Sequence, residues 1–271
     1  MSCAALRSDL YCLPIHSYHR IGGPVPRSLS TVFRDIVSAT HDLLRPSTKI
    51  DWNRDPAAIV IQATSAWPQS VPALALNAIP DALVWGDGRI VWTEAGPRGG
   101  RKVSIGHLQP REMTQLLDEV RRSGFCRMQS WYPADARQGP YDRSLCVHLL
   151  DTSHEVCACD GSGPHAFADL YRHVSSGAGA AGLPYRPTEA LLVATPALRS
   201  PDRRLPAWDA GATGLRLDDA TRGVWVSDTA LDLAWKLVNA TPADPRATQG
   251  SRAYVLTLQV PDIITWEPRL P

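Results

Sequence analysis

The chain predicts an α+β fold: a largely antiparallel sheet made from two repeated hairpin-helix units, with helices packed on the sheet, plus a smaller C-terminal α+β portion. Two observations carry most of this. After Pro110, the residues Met113, Leu116, Leu117 and Val120 fall three, six, seven and ten positions on, and the same offsets after Pro164 hold Phe167, Leu170, Tyr171 and Val174. That spacing lines one face of a helix. Each helix is also preceded by two short β-patterned runs around a turn sequence, the signature of a hairpin.

Residues 1 to 27 hold few periodic apolar positions and read as an irregular arm. Ser30 then caps a helix to about Leu44, which Arg45-Pro46 ends. Ala57 to Ala63 reads as a strand, followed by proline-spaced coil to Pro80. Next comes Asp81 to Trp92, where Asp87-Gly88 suits a two-residue type I′ hairpin turn. That turn sets Leu83 opposite Trp92 and Trp85 opposite Ile90 on one side, with Val84 and Val91 on the other. Both sides are apolar, so the hairpin is expected to be central and covered on both faces. Lys102 to Gly106 is a third strand, and the Pro110 helix ends at Gly124-Phe125 in the manner of a Schellman motif.

The second unit pairs Ser144 to Leu150 with Glu155 to Cys159 around Asp151-Thr-Ser-His154, and its helix runs from Pro164 to about Ser175. Gly177 to Gly182 (Gly-Ala-Gly-Ala-Ala-Gly) reads as a flexible joint. Beyond it, strands are expected at Ala190 to Ala194, Gly223 to Val226 and Ala253 to Val260. A helix capped by Ser227 carries Leu231, Ala234, Trp235 and Val238. The domain reading is therefore 1-54, N-terminal arm and helix; 55-182, α+β core with two hairpin-helix units; and 183-271, a C-terminal α+β portion, with docking on the core as one domain and a separate domain both open.

Composition excludes several classes. The net charge is +1, from 28 basic and 27 acidic residues, which gives no basic face for nucleic acid. The densest basic run, Arg98 to Lys102, reads as a solvated loop between strands. No apolar stretch reaches the roughly 20 residues of a membrane-spanning helix. A hydrophobic content of 44% with 20% charged residues fits a globular chain. The 23 prolines point to long ordered coil between short elements.

The chemistry-bearing candidates are few. With a four-residue loop at Asp151 to His154, His148 faces Cys157 and Cys146 faces Cys159, placing three thiols and one imidazole on one patch. Buried free thiols, a Cys146–Cys159 disulfide and a Cys₃His metal set all remain open, although a flat two-strand patch converges poorly on a tetrahedron. His154 lies three residues from Cys157 and so points to the opposite face, which argues against a His154, Cys157, Cys159, His165 set. Asp160 to His165 (Asp-Gly-Ser-Gly-Pro-His) lacks the lysine of a phosphate loop and reads as the start of a helix. Trp85 and Trp92, with Trp67 and Trp131-Tyr132, offer either core or a stacking platform. Trp131 and Tyr132, in an expected loop, are the candidate partner surface. There is no nucleophile elbow, His-Glu-x-x-His or dinucleotide fingerprint, and no residue is assigned to catalysis, cofactor or metal.

The segment Ile79 to Ile90 (Ile-Pro-Asp-Ala-Leu-Val-Trp-Gly-Asp-Gly-Arg-Ile) resembles a Tyr/Trp-Gly-Asp-Gly-Arg-Val/Ile hairpin motif of an uncharacterised bacterial family, many of whose members are exported or lipoprotein-like. The helix over Leu108 to Phe125 and the strand over Tyr254 to Pro261 are also similar, so the resemblance spans residues 55 to 261. It implies a bacterial protein associated with the cell envelope and brings no active-site residue. Family members tend to begin with a signal or lipobox, whereas Cys3 has no apolar segment before it. Localisation thus reads as cytoplasmic by sequence and as exported or envelope-associated by resemblance. The function expected is a non-enzymatic binding or structural module with a protein or small-ligand partner. The alternatives are a metal-dependent hydrolase using Cys146, His148, Cys157 and Cys159, or a small-ligand carrier using the aromatic hairpin.

Overall fold

A computed structural model describes residues 50–66, 77, 79–96, 99–133, 142–159, 161–197, 205–242, 244–261 and 263, all within the compact unit 49–271. The expected arm, the Ser30 helix, Cys3, Cys12, Trp67 and Asp160 lie outside the described residues.

The fold is α+β. Eight strands form one sheet: β1 (Ile59–Ala66), β2 (Ala82–Trp85), β3 (Arg89–Ala95), β4 (Arg101–His107), β5 (Trp131–Tyr132), β6 (Asp142–His148), β7 (Ser153–Cys159) and β8 (Leu183–Pro184). Their spatial order is β5-β7-β6-β1-β2-β3-β4-β8. Among the described strands of this sheet, only the β5–β7 pair is parallel. β1 stands between the two hairpins, pairing antiparallel with β2 on one side and β6 on the other. Helices α1 (Pro110–Arg122) and α2 (His165–Ser175) follow the hairpins and bury Met113, Leu116, Leu117, Val120, Phe167, Leu170, Tyr171 and Val174, the stripes that the spacing marked.

Those stripes meet Ile61, Ala63, Val84, Ile90, Trp92, Leu145, Val147 and Val156 on one face of the sheet. Burying each large apolar side chain contributes roughly 1.5–3 kcal/mol, so α1 and α2 are held by this face more than by propensity. Pro110 opens α1, the Gln109 N–H donates to Glu112 Oε2 at 2.6 Å, and Gly124 closes it in the left-handed conformation, its N–H donating to Arg121 O at 3.1 Å.

The other face of the β2–β3 hairpin enters a second core. Leu83, Trp85 and Val91 pack with residues of a four-stranded antiparallel sheet, ordered β10-β9-β12-β11. Its strands are β9 (Ala190–Pro196), β10 (Val224–Val226), β11 (Arg246–Gln249) and β12 (Arg252–Gln259). A short helix α3 (Ala210–Thr213) and the longer α4 (Asp228–Ala240) complete this part. Helix α4 touches both β12 and β4. Ser227 stands at its N-cap, but its hydroxyl donates to Asp228 Oδ2 at 2.9 Å and accepts no helix amide N–H. Among the described residues no helix is long and apolar enough to cross a membrane.

Both hairpin registers differ from expectation. In the first, Leu83 pairs with Val91 and Val84 with Ile90, one residue from the two-residue-turn register. The turn runs over Trp85–Gly88, closed by the Gly88 N–H on Trp85 O at 3.0 Å, with Gly88 at φ +93°. Gly86 is unavailable to pair with Arg89 because its N–H donates to Ala58 O at 2.8 Å and its carbonyl accepts from Trp52 Nε1 at 3.0 Å. Trp85 and Trp92 therefore lie in different cores on opposite faces.

In the second hairpin, Cys146 pairs with Glu155, His148 with Ser153 and Ser144 with Cys157. The connection is Leu149–Thr152, closed by Leu149 N–H on Thr152 O at 2.8 Å, two residues earlier than the expected loop. His154 is drawn into the strand: its ring meets Phe125 edge-on at 5.3 Å and Nε2 lies 3.2 Å from Met128 O.

Candidate functional site

The shifted register disperses the thiol patch. Cys146, His148, Cys157 and Cys159 still share one side of the β6–β7 hairpin, since a partner shift of four residues keeps the alternation, but Cys146 no longer faces Cys159. No disulfide joins Cys146 to Cys159, so the disulfide alternative is corrected. Among the described residues no three His, Cys, Asp or Glu side chains converge as a metal-binding group. Cys146 Sγ lies 3.3 Å from His148 Nε2, the spacing of a thiol–imidazole pair. Burial, reinforced by the Glu155 carboxylate, pushes this thiol up to about 11, opposite to the depression that activates a cysteine nucleophile. At pH 8 a thiol titrating near 11 is on the order of a hundredfold poorer in thiolate than an ordinary cysteine near 8.5. Cys146 should therefore alkylate with iodoacetamide about that much more slowly than a peptide cysteine, accelerating up to pH 11. A peptide-like rate at pH 8, mapped by mass spectrometry, would refute the burial argument.

The aromatic candidates part company. Trp85 and Trp92 are both buried, leaving neither ring as an open platform. Gly177 and Gly182 lie against the Trp92 indole so closely that a Cβ at either would fall 2.8 and 2.5 Å from ring atoms. The glycine-rich run is thus a seat for this tryptophan. Trp131-Tyr132 is strand β5 instead of the expected loop. Trp131 remains 48% exposed, while Tyr132 is half-buried and its hydroxyl accepts from the Gln129 N–H at 3.0 Å. Ser162, in the turn before α2, donates to Tyr132 O at 3.0 Å and Cys159 O at 2.7 Å, consistent with a structured helix start.

Asp87 and Arg89 serve the hairpin. Asp87 Oδ1 accepts from the Arg89 N–H at 2.9 Å, and the Arg89 guanidinium lies 4.3 Å from the Trp85 ring centroid while donating to Pro56 O at 3.2 Å. A second polar cluster ties α2 to the sheet. Tyr171 donates its hydroxyl to Asp81 Oδ2, and Ser65 Oγ donates to Oδ1 at 3.1 Å. Burial, then the adjacent Asp81 carboxylate, drives the Tyr171 phenol far upward, so it acts as a neutral donor and not as a base.

The described residues also form a concavity that the sequence did not signal. A cleft of about 830 Å³ opens between the start of β4, the segment after β8 and one face of α4, within the range of roughly 300–1,000 Å³ typical of small-ligand sites. Tyr185 and Trp235 form a wall, their rings edge-to-face with centroids 5.8 Å apart. Arg101 lies at its floor, half-buried. Its Nε donates to Asn239 Oδ1 at 2.9 Å and its Nη1 to Asn77 O at 3.1 Å, both neutral acceptors. Nη2 is closed off from solvent without an acceptor, and burial brings the guanidinium down to about 10 despite the Asp81 charge. Residues 101, 185 and 235 come together only through the pairing of β4 with β8 and the packing of α4 on β4. The only sequence hint was Trp235, placed on the α4 apolar stripe yet half-buried in the fold.

The comparisons with protein-family models, curated proteins and solved structures give no match for this chain.

Proposed function

We propose that this chain is a non-enzymatic binding module and that its ligand occupies the cleft between β4, β8 and α4. The observation that carries the reading is the Tyr185–Trp235 wall beside a floor of fixed polar groups. Ligand sites of proteins are concave, with aromatic walls and a few placed polar groups. The chemistry-bearing side chains elsewhere favour binding over reaction: the thiol beside His148 is held protonated and Tyr171 is held neutral.

The test is ligand-observed NMR with a panel of small ring compounds: phenol, benzyl alcohol, benzoate and phenyl phosphate. At least one should give saturation transfer with the parent protein. Ala240 is exposed on the cleft wall, so Ala240→Trp should fill the cavity and abolish that signal. Transfer that persists unchanged in Ala240→Trp, or that never appears with any compound, would reject the cleft as the binding site.

A further inference from the structure

Charge around the cleft is lopsided. Arg101, Lys102, Arg186 and Lys236 line it against one carboxylate, Asp232. Lys102 is matched by Glu94 at 3.4 Å. Arg101, Arg186 and Lys236 have no ion pair within 4 Å among the described residues. Arg186 and Lys236 are exposed at the rim, whereas Arg101 is anchored beneath it by the two neutral acceptors Asn239 and Asn77. A cation fixed in a partly desolvated floor acts over a longer range than one in bulk water, and concave low-dielectric walls focus its field. A positively charged concavity with an aromatic side is matched by a flat ring carrying a negative group.

Resting on the binding-module reading above, we infer that the cleft selects a ring compound bearing an oxyanion, with the ring against Tyr185 and Trp235 and the oxyanion toward Lys236 and Arg186 above Arg101. Arg101 contributes its field and not a contact, because its remaining nitrogen is shut away from solvent. The two exposed cations supply direct charge-assisted hydrogen bonds. The oxyanion can be a carboxylate or a phosphate, and the site distinguishes them only by affinity.

Isothermal titration of the full chain with benzoate, phenyl phosphate, benzyl alcohol and inorganic phosphate tests this at low and high sodium chloride. Benzoate or phenyl phosphate should bind at least about tenfold tighter than benzyl alcohol at low salt, and the advantage should shrink as salt screens the charges. The tighter of the two identifies the oxyanion. Inorganic phosphate should bind more weakly than phenyl phosphate because it has no ring to place on the wall. In a variant carrying Arg186→Gln and Lys236→Gln, both at the surface, the advantage should fall below roughly threefold. Equal binding of benzoate, phenyl phosphate and benzyl alcohol, or an advantage that survives the double substitution, overturns the charge selection while leaving the cleft reading intact. Inorganic phosphate binding as tightly as phenyl phosphate overturns the ring. If none of the four binds, the cleft reading itself has failed.

Discussion

Gly86→Ala should destabilise the unit by about 3–5 kcal/mol, at or above the upper end of what overpacking usually costs. A Cβ there would fall 2.0 Å from Asn53 O and 2.7 Å from Asp55 O. These are backbone atoms, so no side chain can swing aside to make room. Moving the 53–55 segment would also strain the Trp52 indole's hydrogen bond to Gly86 O and the Gly86 N–H bond to Ala58 O. For a unit of this size the loss corresponds to a melting point lower by roughly 10 °C. Gly214→Ala is the matched comparison. Gly214 has φ +66° but open space around its Cβ direction, so only the left-handed backbone cost of about 1–2 kcal/mol applies. A Gly86→Ala protein melting within 2 °C of the parent, or no lower than Gly214→Ala, would show that the close approach is not what requires glycine.

Asn77→Ala is the second large effect, expected at about 2–4 kcal/mol from two buried backbone groups left without partners. Asn77 is 2% exposed. Its Nδ2 donates to Leu256 O at 3.0 Å and its Oδ1 accepts from the Leu258 N–H at 2.8 Å. Strand β11 reaches only to the partner of Val255, so the Asn77 amide continues the ladder beside β12 where β11 stops. Its own carbonyl holds Arg101, which links the small sheet to the cleft floor. Asn77→Asp should not restore stability near neutral pH, because an ionised carboxylate can accept from Leu258 but cannot donate to Leu256. Urea denaturation measures the loss. A midpoint unchanged in Asn77→Ala, or full stability in Asn77→Asp at pH 7, would contradict the clamp.

What the sequence disclosed and what it hid follow from the range of the forces involved. The stripes of α1 and α2 were legible to the residue because helix periodicity is local and both sequences agree with the packing. Hairpin positions were legible but registers were not. The first turn is set by residues 52 to 58 closing on Gly86, and the second by Phe125 and Met128 taking hold of His154. Neither influence is written in the hairpin itself. Strand β11, Arg-Ala-Thr-Gln, has no apolar alternation to announce it. The cleft was the least visible, since Arg101, Tyr185 and Trp235 share no local motif.

The large sheet ends on both sides in strands of only two residues, Trp131–Tyr132 and Leu183–Pro184. A stub that short exposes few unpaired amides, and Pro184 has no amide hydrogen to offer. Each stub covers two residues of a seven-residue neighbour, Cys157–Ala158 of β7 and Ser104–Ile105 of β4, and so interrupts the longer edge behind it, with Leu183 71% exposed. The consequence is that a strand added side-on would have to pair with a broken margin instead of one long continuous edge, which disfavours templated fibre growth there.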